Sequence, residues 1–354
     1  MPQAVTSQYE VLLPGVPWIE SPFFEQILAT KPLTEDERRV ALALHHDGYA
    51  VIDFADPAFD ARVERIIAKL SKSVDWAHWR ANCAYGGSIR FPNGWQDDPD
   101  IRAIACNERL ISLLSLLYGR RAIPFQTLNF PVGTQQHCHS DSVHFSTVPE
   151  RFMCGVWVAM EDIDADNGPL IYYPGSHKWP TYANEHIGHL VTEQSSYGQP
   201  TFEPLWRALV ETQGLPVERF FAKKGQALIW AANLLHGGDR HNSLERTRWS
   251  QVTHYYFEDC AYYTPLASLP ALGTFSFRDI TDIATGAAVP NKLMGKDVAR
   301  GDIERLAFIR KPDEVPFDGA AYLAANPDVA RAGVDPRTHY DMYGRTEGRP
   351  LRPA

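Results

Sequence analysis

His139 and Asp141 stand two residues apart in the stretch Gln136-His137-Cys138-His139-Ser140-Asp141. On a β-strand, residues i and i+2 point to the same face. The spacing therefore puts an imidazole and a carboxylate side by side. These are two of the three ligands of a 2-His-1-carboxylate facial triad, which leaves open positions on Fe(II) for a co-substrate and O₂. The third ligand must come from a distant segment, and His236 is available. Taken alone, His-x-Asp also suits a surface contact on a loop, so its surroundings have to decide.

His236 follows the apolar run Leu228 to Leu235 and precedes Gly237-Gly238. A His at the end of a buried strand, before a glycine turn, can look into a barrel mouth. Next comes Arg248-Trp249-Ser250-Gln251-Val252-Thr253-His254-Tyr255-Tyr256-Phe257. Alternation puts Arg248, Ser250, Val252, His254 and Tyr256 on one face. An inward Arg248 would need an anion, and its planar fork matches a carboxylate at two points. The distal carboxylate of 2-oxoglutarate is such an anion. The alternative is a surface Arg248 paired with a local acid such as Glu245, and Arg246 takes its place if the register is shifted.

These residues need a scaffold. Thr34-Glu35-Asp36-Glu37 fits a capping box and starts a helix that runs to about His46 and ends near Gly48. Tyr49 to Phe54 reads as a strand, and Pro57 to about Ser71 as a second helix with Val63, Ile66, Ile67 and Leu70 as its stripe. From about 120 to 260 the character changes. The runs Ala122 to Phe130, Phe152 to Met160, Leu170 to Tyr173, Gln226 to Leu234 and Arg248 to Phe257 are separated by Gly, Pro and Asn turn signals. Many short strands predict a sandwich or barrel, here a jelly roll. The expected fold is mainly β with flanking helices around a cupin-like double-stranded β-helix. The expected domains are 1–311, with the jelly-roll core at about 120–260, and a small helical appendage at 312–354.

Composition bounds the function. The chain has 354 residues, 44% hydrophobic and 22% charged, which suits a globular protein. A net charge of −9, without a Lys/Arg-rich run, argues against a nucleic-acid partner. No run of ~20 apolar residues is present, so no membrane span is expected. The start lacks the marks of a secretory signal. Five Cys without repeating spacing point to a reducing, cytoplasmic setting rather than a disulfide framework. They read as small buried hydrophobes, and no C-x-x-C pair suggests structural zinc.

Taken in order, Gln136 to Asp141, Trp157 to Asp162, Asp166-Asn167-Gly168-Pro169-Leu170, Pro174-Gly175-Ser176-His177, Leu235-His236-Gly237-Gly238 and Arg248 resemble the phytanoyl-CoA dioxygenase family of Fe(II)/2-oxoglutarate oxygenases. The resemblance covers roughly residues 35–265. It implies His139, Asp141 and His236 as iron ligands and Arg248 as the 2-oxoglutarate arginine. Trp157 and Asn129 are implied for the co-substrate pocket. Gly238 stands where some members carry a Ser. The retained Asp141 favours oxygenation over halogenation. The implied reaction uses O₂ to hydroxylate a C–H bond of a small molecule, giving succinate and CO₂. Desaturation, epoxidation or cyclisation would use the same ligands, and a non-catalytic binding jelly roll is the remaining alternative. His144, Gln136, Tyr172 and His177 are candidates for the substrate side, with Gln135 and Tyr173 beside them.

The tail carries Tyr322-Leu323-Ala324-Ala325-Asn326-Pro327-Asp328-Val329, then His339-Tyr340, then Gly344-Arg345-Thr346-Glu347-Gly348-Arg349. It resembles a short module at the ends of bacterial proteins, including glycosyltransferases that build surface polysaccharides. It hints at a bacterial sugar- or nucleotide-linked substrate, beside acyl thioesters and secondary metabolites. A packing or oligomerisation appendage is the other reading, so a homo-oligomer is an open expectation.

Overall fold

The structure, a computed structural model, describes residues 7–83, 89–189, 198–298, 317–344, 347 and 349–353. The chain divides into two compact units, 1–304 and 305–354. In the first, a helix over Glu35–Asp47 starts on a reciprocal cap. The Thr34 hydroxyl accepts from the Glu37 N–H, and the Glu37 carboxylate accepts from the Thr34 N–H. Gly48, at φ +82°, ends the helix and turns the chain into strand β1, Tyr49–Asp53. A side chain on Gly48 would meet both the left-handed backbone and the His177 ring.

The other strands of the core are β2 (Phe91–Pro92), β3 (Ala122–Phe130), β4 (Ser146–Val148), β5 (Met153–Ala159), β6 (Leu170–Tyr172), β7 (Glu218–Phe220), β8 (Gln226–Ala231), β9 (His236–Gly238), β10 (Ser250–Phe257) and β11 (Ala261–Tyr263). An antiparallel six-stranded sheet has the order β1-β8-β5-β10-β3-β2, and a three-stranded sheet the order β7-β6-β9. Strand β4 pairs with β11. Alternation along the large sheet splits its side chains into two cores. Val156, Val158, Ile229 and Tyr255 join the helices, with Val40, Leu44, Ile66 and Leu114. Trp157, Leu228, Trp230 and Val252 pack against Leu170, Tyr172 and Phe220 of the small sheet. These two packed sheets with helices outside are the expected jelly roll.

Two local expectations change. The apolar run 228–235 is not one strand. Strand β8 stops at Ala231, the Leu234 N–H closes a turn onto the Ala231 carbonyl at 2.9 Å, and His236 opens β9. Gly237-Gly238 is strand rather than turn. A Cβ on Gly237 would sit 2.7 Å from the Gln136 carbonyl oxygen and one on Gly238 2.4 Å from Thr134 Oγ1. The pair is glycine because another backbone lies against it, and a Ser side chain at 238 would have no room.

In the second unit the Ala-rich stretch is two helices, Gly319–Ala325 and Pro327–Ala332. Asn326 separates them, with its amide donating to the Tyr322 and Pro350 carbonyls. Pro327 takes the first position of the second helix, where its missing N–H costs nothing. Residues Pro336–His339 form the next helix and run into a π-type turn at Tyr340–Gly344. Residue 312, Arg345, Thr346 and Gly348 lie outside the described residues.

Candidate active site

The segment carrying His139 is not a regular strand. It forms one isolated bridge with His236, each N–H donating to the other's carbonyl at 2.9 and 3.0 Å. Asp141 then enters a 3-10 turn, Asp141–Val143. Ser140 pins that turn, its hydroxyl lying 3.2 Å from the Ala232 carbonyl and 3.1 Å from Asn233 Oδ1. The Ser142 N–H reaches the same Ala232 carbonyl at 3.1 Å. Strand alternation therefore does not bring His139 and Asp141 together. The turn held on Ala232 and Asn233 does, and the pairing of His139 with β9 delivers His236.

All three side chains are buried, and one ligand atom from each lies within 4.8 Å of the others. His139 Nε2 is 3.6 Å from Asp141 Oδ1, and His236 Nε2 is 3.7 Å from Asp141 Oδ2. The Nδ1 atoms of His139 and His236 lie 3.1 and 3.0 Å from the carbonyls of His137 and Leu234. A carbonyl only accepts, so each Nδ1 carries the proton and each Nε2 presents its lone pair. Burial pushes the His236 imidazole down to about 4, which keeps it neutral at neutral pH. Burial alone would raise the Asp141 carboxyl, yet His236, His139 and His254 together hold it well below the usual carboxylate range. Two imidazoles and a carboxylate within reach of one another are the ligand types of a divalent metal site.

Two side chains steady Asp141. Trp230 Nε1 donates to Asp141 Oδ2 at 2.8 Å, and His254 Nε2 lies 3.5 Å from the same oxygen. His254 Nδ1 is in turn 3.0 Å from Gln126 Oε1. Trp230 crosses to Asp141 over Gly155, its partner in β5. A Cβ on Gly155 would lie 2.1 Å from the indole ring.

These groups line one pocket of about 570 Å³, and Arg248 lies in its wall. Arg248 is 1% exposed. Its Nε donates to the Gly168 carbonyl at 2.9 Å and its Nη1 to Ser250 Oγ at 3.0 Å, while Nη2 is buried without a partner. The guanidinium lies 5.4 Å from the centre of the Trp157 ring, whose Nε1 is likewise buried and unpartnered. Burial lowers Arg248 to about 10, so it stays charged at neutral pH. Glu161 is the acid whose charge reaches Arg248, but no ion pair closes on it among the described residues, and a buried cation with a spare N–H beside a second spare donor fits an acceptor-rich anion. Arg246, the alternative, instead pairs with Asp164 at the surface.

The sequence model of the phytanoyl-CoA dioxygenase (PhyH) family matches residues 44–248. The chain belongs to this family. The peroxisomal phytanoyl-CoA dioxygenase of Rattus norvegicus is 28% identical over 131 residues, and that of Bos taurus 26% over 139. Each match covers 36% of this chain and 36% of the relative, so the chain spans about a third of the length of these relatives. Among solved structures, EctD from S. alaskensis with bound Fe is 20% identical, with a TM-score of 0.46, over 64% of this chain and 77% of that one. The carbocyclase SnoK from nogalamycin biosynthesis is 14% identical, with a TM-score of 0.48, over 65% and 87%.

Within this PhyH-family chain, Trp157, His144 and Gln136 line the pocket with His139, Asp141 and His236. His144 Nε2 is 3.4 Å from Gln199 Oε1, and Gln136 Nε2 donates to the same oxygen at 2.7 Å. Five other candidates lie elsewhere. Asn129 occupies the helix-packed face of β3, where its amide donates to Gln251 Oε1 at 3.2 Å and Gln251 donates to the Ile101 carbonyl. Its neighbours Leu128 and Phe130 line the pocket instead, since successive strand residues face opposite ways. Tyr172 packs on Tyr49, ring centres 4.4 Å apart, inside the inter-sheet core. His177 is buried over Gly48 and donates from Nε2 to the His45 carbonyl at 3.2 Å. Gln135 is held by the Cys83 carbonyl in a neighbouring groove that also contains Tyr173.

Trp230, His254 and Gln126 escaped the sequence reading. The alternation that aligned Arg248 with His254 already carried a signal for the second. Nothing local marks a Trp in an apolar run as a carboxylate's partner. The five Cys are unpaired; Cys83, Cys154 and Cys260 are buried, while Cys106 and Cys138 are only partly so. Among the described residues, no helix is long and apolar enough to cross a membrane.

Proposed function

We propose that this chain is an Fe(II)/2-oxoglutarate-dependent dioxygenase that hydroxylates a C–H bond of a small-molecule substrate, releasing succinate and CO₂. One observation carries the reading. A buried His-Asp-His set and a buried arginine with an unpartnered Nη2 line the same pocket. His139, Asp141 and His236 would hold the iron, and Arg248 would take the distal carboxylate of 2-oxoglutarate, with Trp157 beside it. When bound, the metal and co-substrate supply O₂ activation and the oxidising power for the C–H bond.

The chain's own work is positional. The His137 and Leu234 carbonyls fix the two imidazole tautomers, a common way to orient metal-bound histidines. Trp230 fixes the carboxylate rotamer. Leu128, Phe130, Leu170 and Val252 keep the pocket wall apolar. The carboxylate at Asp141 favours oxygenation over halogenation. The substrate is a sugar- or nucleotide-linked metabolite, an acyl thioester or a secondary metabolite, set by the polar groups at the mouth.

The test is spectroscopic. Anaerobic Fe(II) with 2-oxoglutarate should give a visible charge-transfer band, and Asp141→Ala should remove it while the circular dichroism spectrum is retained. Arg248→Gln should weaken 2-oxoglutarate binding at least about tenfold, the loss of a charge-assisted contact. Folded wild-type protein without the band would sink the reading. Succinate release across candidate metabolites, with a product that gains one oxygen atom, identifies the substrate and the outcome.

A further inference from the structure

The charges lining the pocket leave one group unexplained. The protein as a whole is acidic, with a net charge of −9. The pocket nevertheless has one carboxylate, Asp141, and two arginines, Arg248 and Arg90. On the proposed function, on which this inference rests, the inner charges cancel. The doubly charged metal and Arg248 balance Asp141 and the two carboxylates of 2-oxoglutarate. Arg90 remains, with no acidic partner among the described residues.

The side chain of Arg90 is exposed, while the backbone next to it is fixed. Arg90 immediately precedes β2, whose Phe91 and Pro92 pair with Asn129 and Leu128 at the edge of the large sheet. The Asn93 N–H adds a 2.7 Å bond to the Thr127 carbonyl just beyond. The chain around this guanidinium is thus anchored beside Leu128, a pocket-wall residue. Elsewhere in the lining, Gln136 and His144 are both gathered on Gln199 Oε1. Among the described residues, the mouth therefore combines the Arg90 cation with amide and imidazole groups and adds no acid to Asp141.

We propose that Arg90 is a substrate-binding residue and that the substrate carries an anionic group, a phosphate or a carboxylate, outside the part presented to the metal. The remaining polar lining would meet hydroxyl or amide groups of the same molecule. A neutral hydrocarbon would give this exposed guanidinium no partner, whereas an anion in the pocket would gain a charge-assisted contact with it.

The test uses three probes of one size, glucose, glucose 6-phosphate and glucuronate. The full chain is loaded with Mn(II) and saturating 2-oxoglutarate, and broadening of each probe's NMR lines by Mn(II) reports its approach to the metal. Both anionic probes, or one of them, should bind about tenfold more tightly than glucose. Which one leads separates a phosphate from a carboxylate. Arg90→Gln should erase the preference, while Arg246→Gln, whose arginine is already paired with Asp164, should keep it. Equal broadening by all three probes, or a preference that survives Arg90→Gln, would overturn the assignment. So would Arg90→Gln weakening 2-oxoglutarate instead, because Arg90 would then belong to the co-substrate. Binding of Mn(II) and 2-oxoglutarate is measured first in each sample. Its failure in the wild type overturns the proposed function and this inference together, whereas its success with no anion preference overturns the inference alone.

Discussion

The Trp230 indole looks at first like ordinary core, since it sits in an apolar strand and is 2% exposed. Its N–H, however, bonds the oxygen of Asp141 that also faces His254. A carboxylate free to rotate would present its two oxygens in many directions, and the indole restricts it to one. Outer partners of metal ligands typically contribute 10–100-fold in affinity. Trp230→Phe keeps the ring and removes only the donor. Its Mn(II) affinity, measured by calorimetry, should fall by about tenfold or more while the thermal midpoint moves little. Unchanged affinity would reduce Trp230 to packing. The ligand types at 139, 141 and 236 were legible in the sequence because the chemistry of a side chain travels with its name. The role of Trp230 was not, because it depends on Gly155 leaving space on a different strand.

At the scale of elements, the site hangs on short irregular pieces braced by regular ones. The Thr34–Glu37 cap and Gly48 terminator could be read directly because both ends of a helix are set by neighbouring residues. The turn at Ser176–Lys178 could not, because its His177 docks on a helix far away in sequence. That docking should show in the pH dependence of stability. Burial lowers the His177 imidazole from 6.5 to about 4 in the folded chain. Above pH 6.5 both folded and unfolded forms are neutral there, and the full stability is present. As pH falls from 6.5 towards 4 the unfolded chain takes up a proton that the fold refuses, so stability is lost, on the order of 3 kcal/mol at most. His177→Gln has no such titration. Its urea midpoint should fall less than that of the wild type between pH 6.5 and pH 4.5. An identical fall in both proteins would show that His177 is not the group responsible.

At the scale of the whole molecule, the two compact units differ in what they contain. Every residue of the candidate active site belongs to 1–304, while 305–354 has its own small core around Tyr322, Phe317 and Tyr340. We therefore expect a chain ending at residue 304 to keep its cooperative thermal unfolding and its Mn(II) affinity. Loss of either would make the second unit part of the enzyme's working structure. The sequence by itself determined the side-chain types that line the candidate site, the helix ends and the mainly β character. Each rests on side-chain identity or on periodicities of two to four residues. Only the tertiary structure decided that a backbone pairing between His139 and His236 assembles the site, that Gly237-Gly238 is a seat for that backbone and that Asn129 faces away. It also decided that Trp230 and His254 hold Asp141. These are contacts between segments about 90 to 120 residues apart, and the register that creates them is a property of packed sheets rather than of any local stretch.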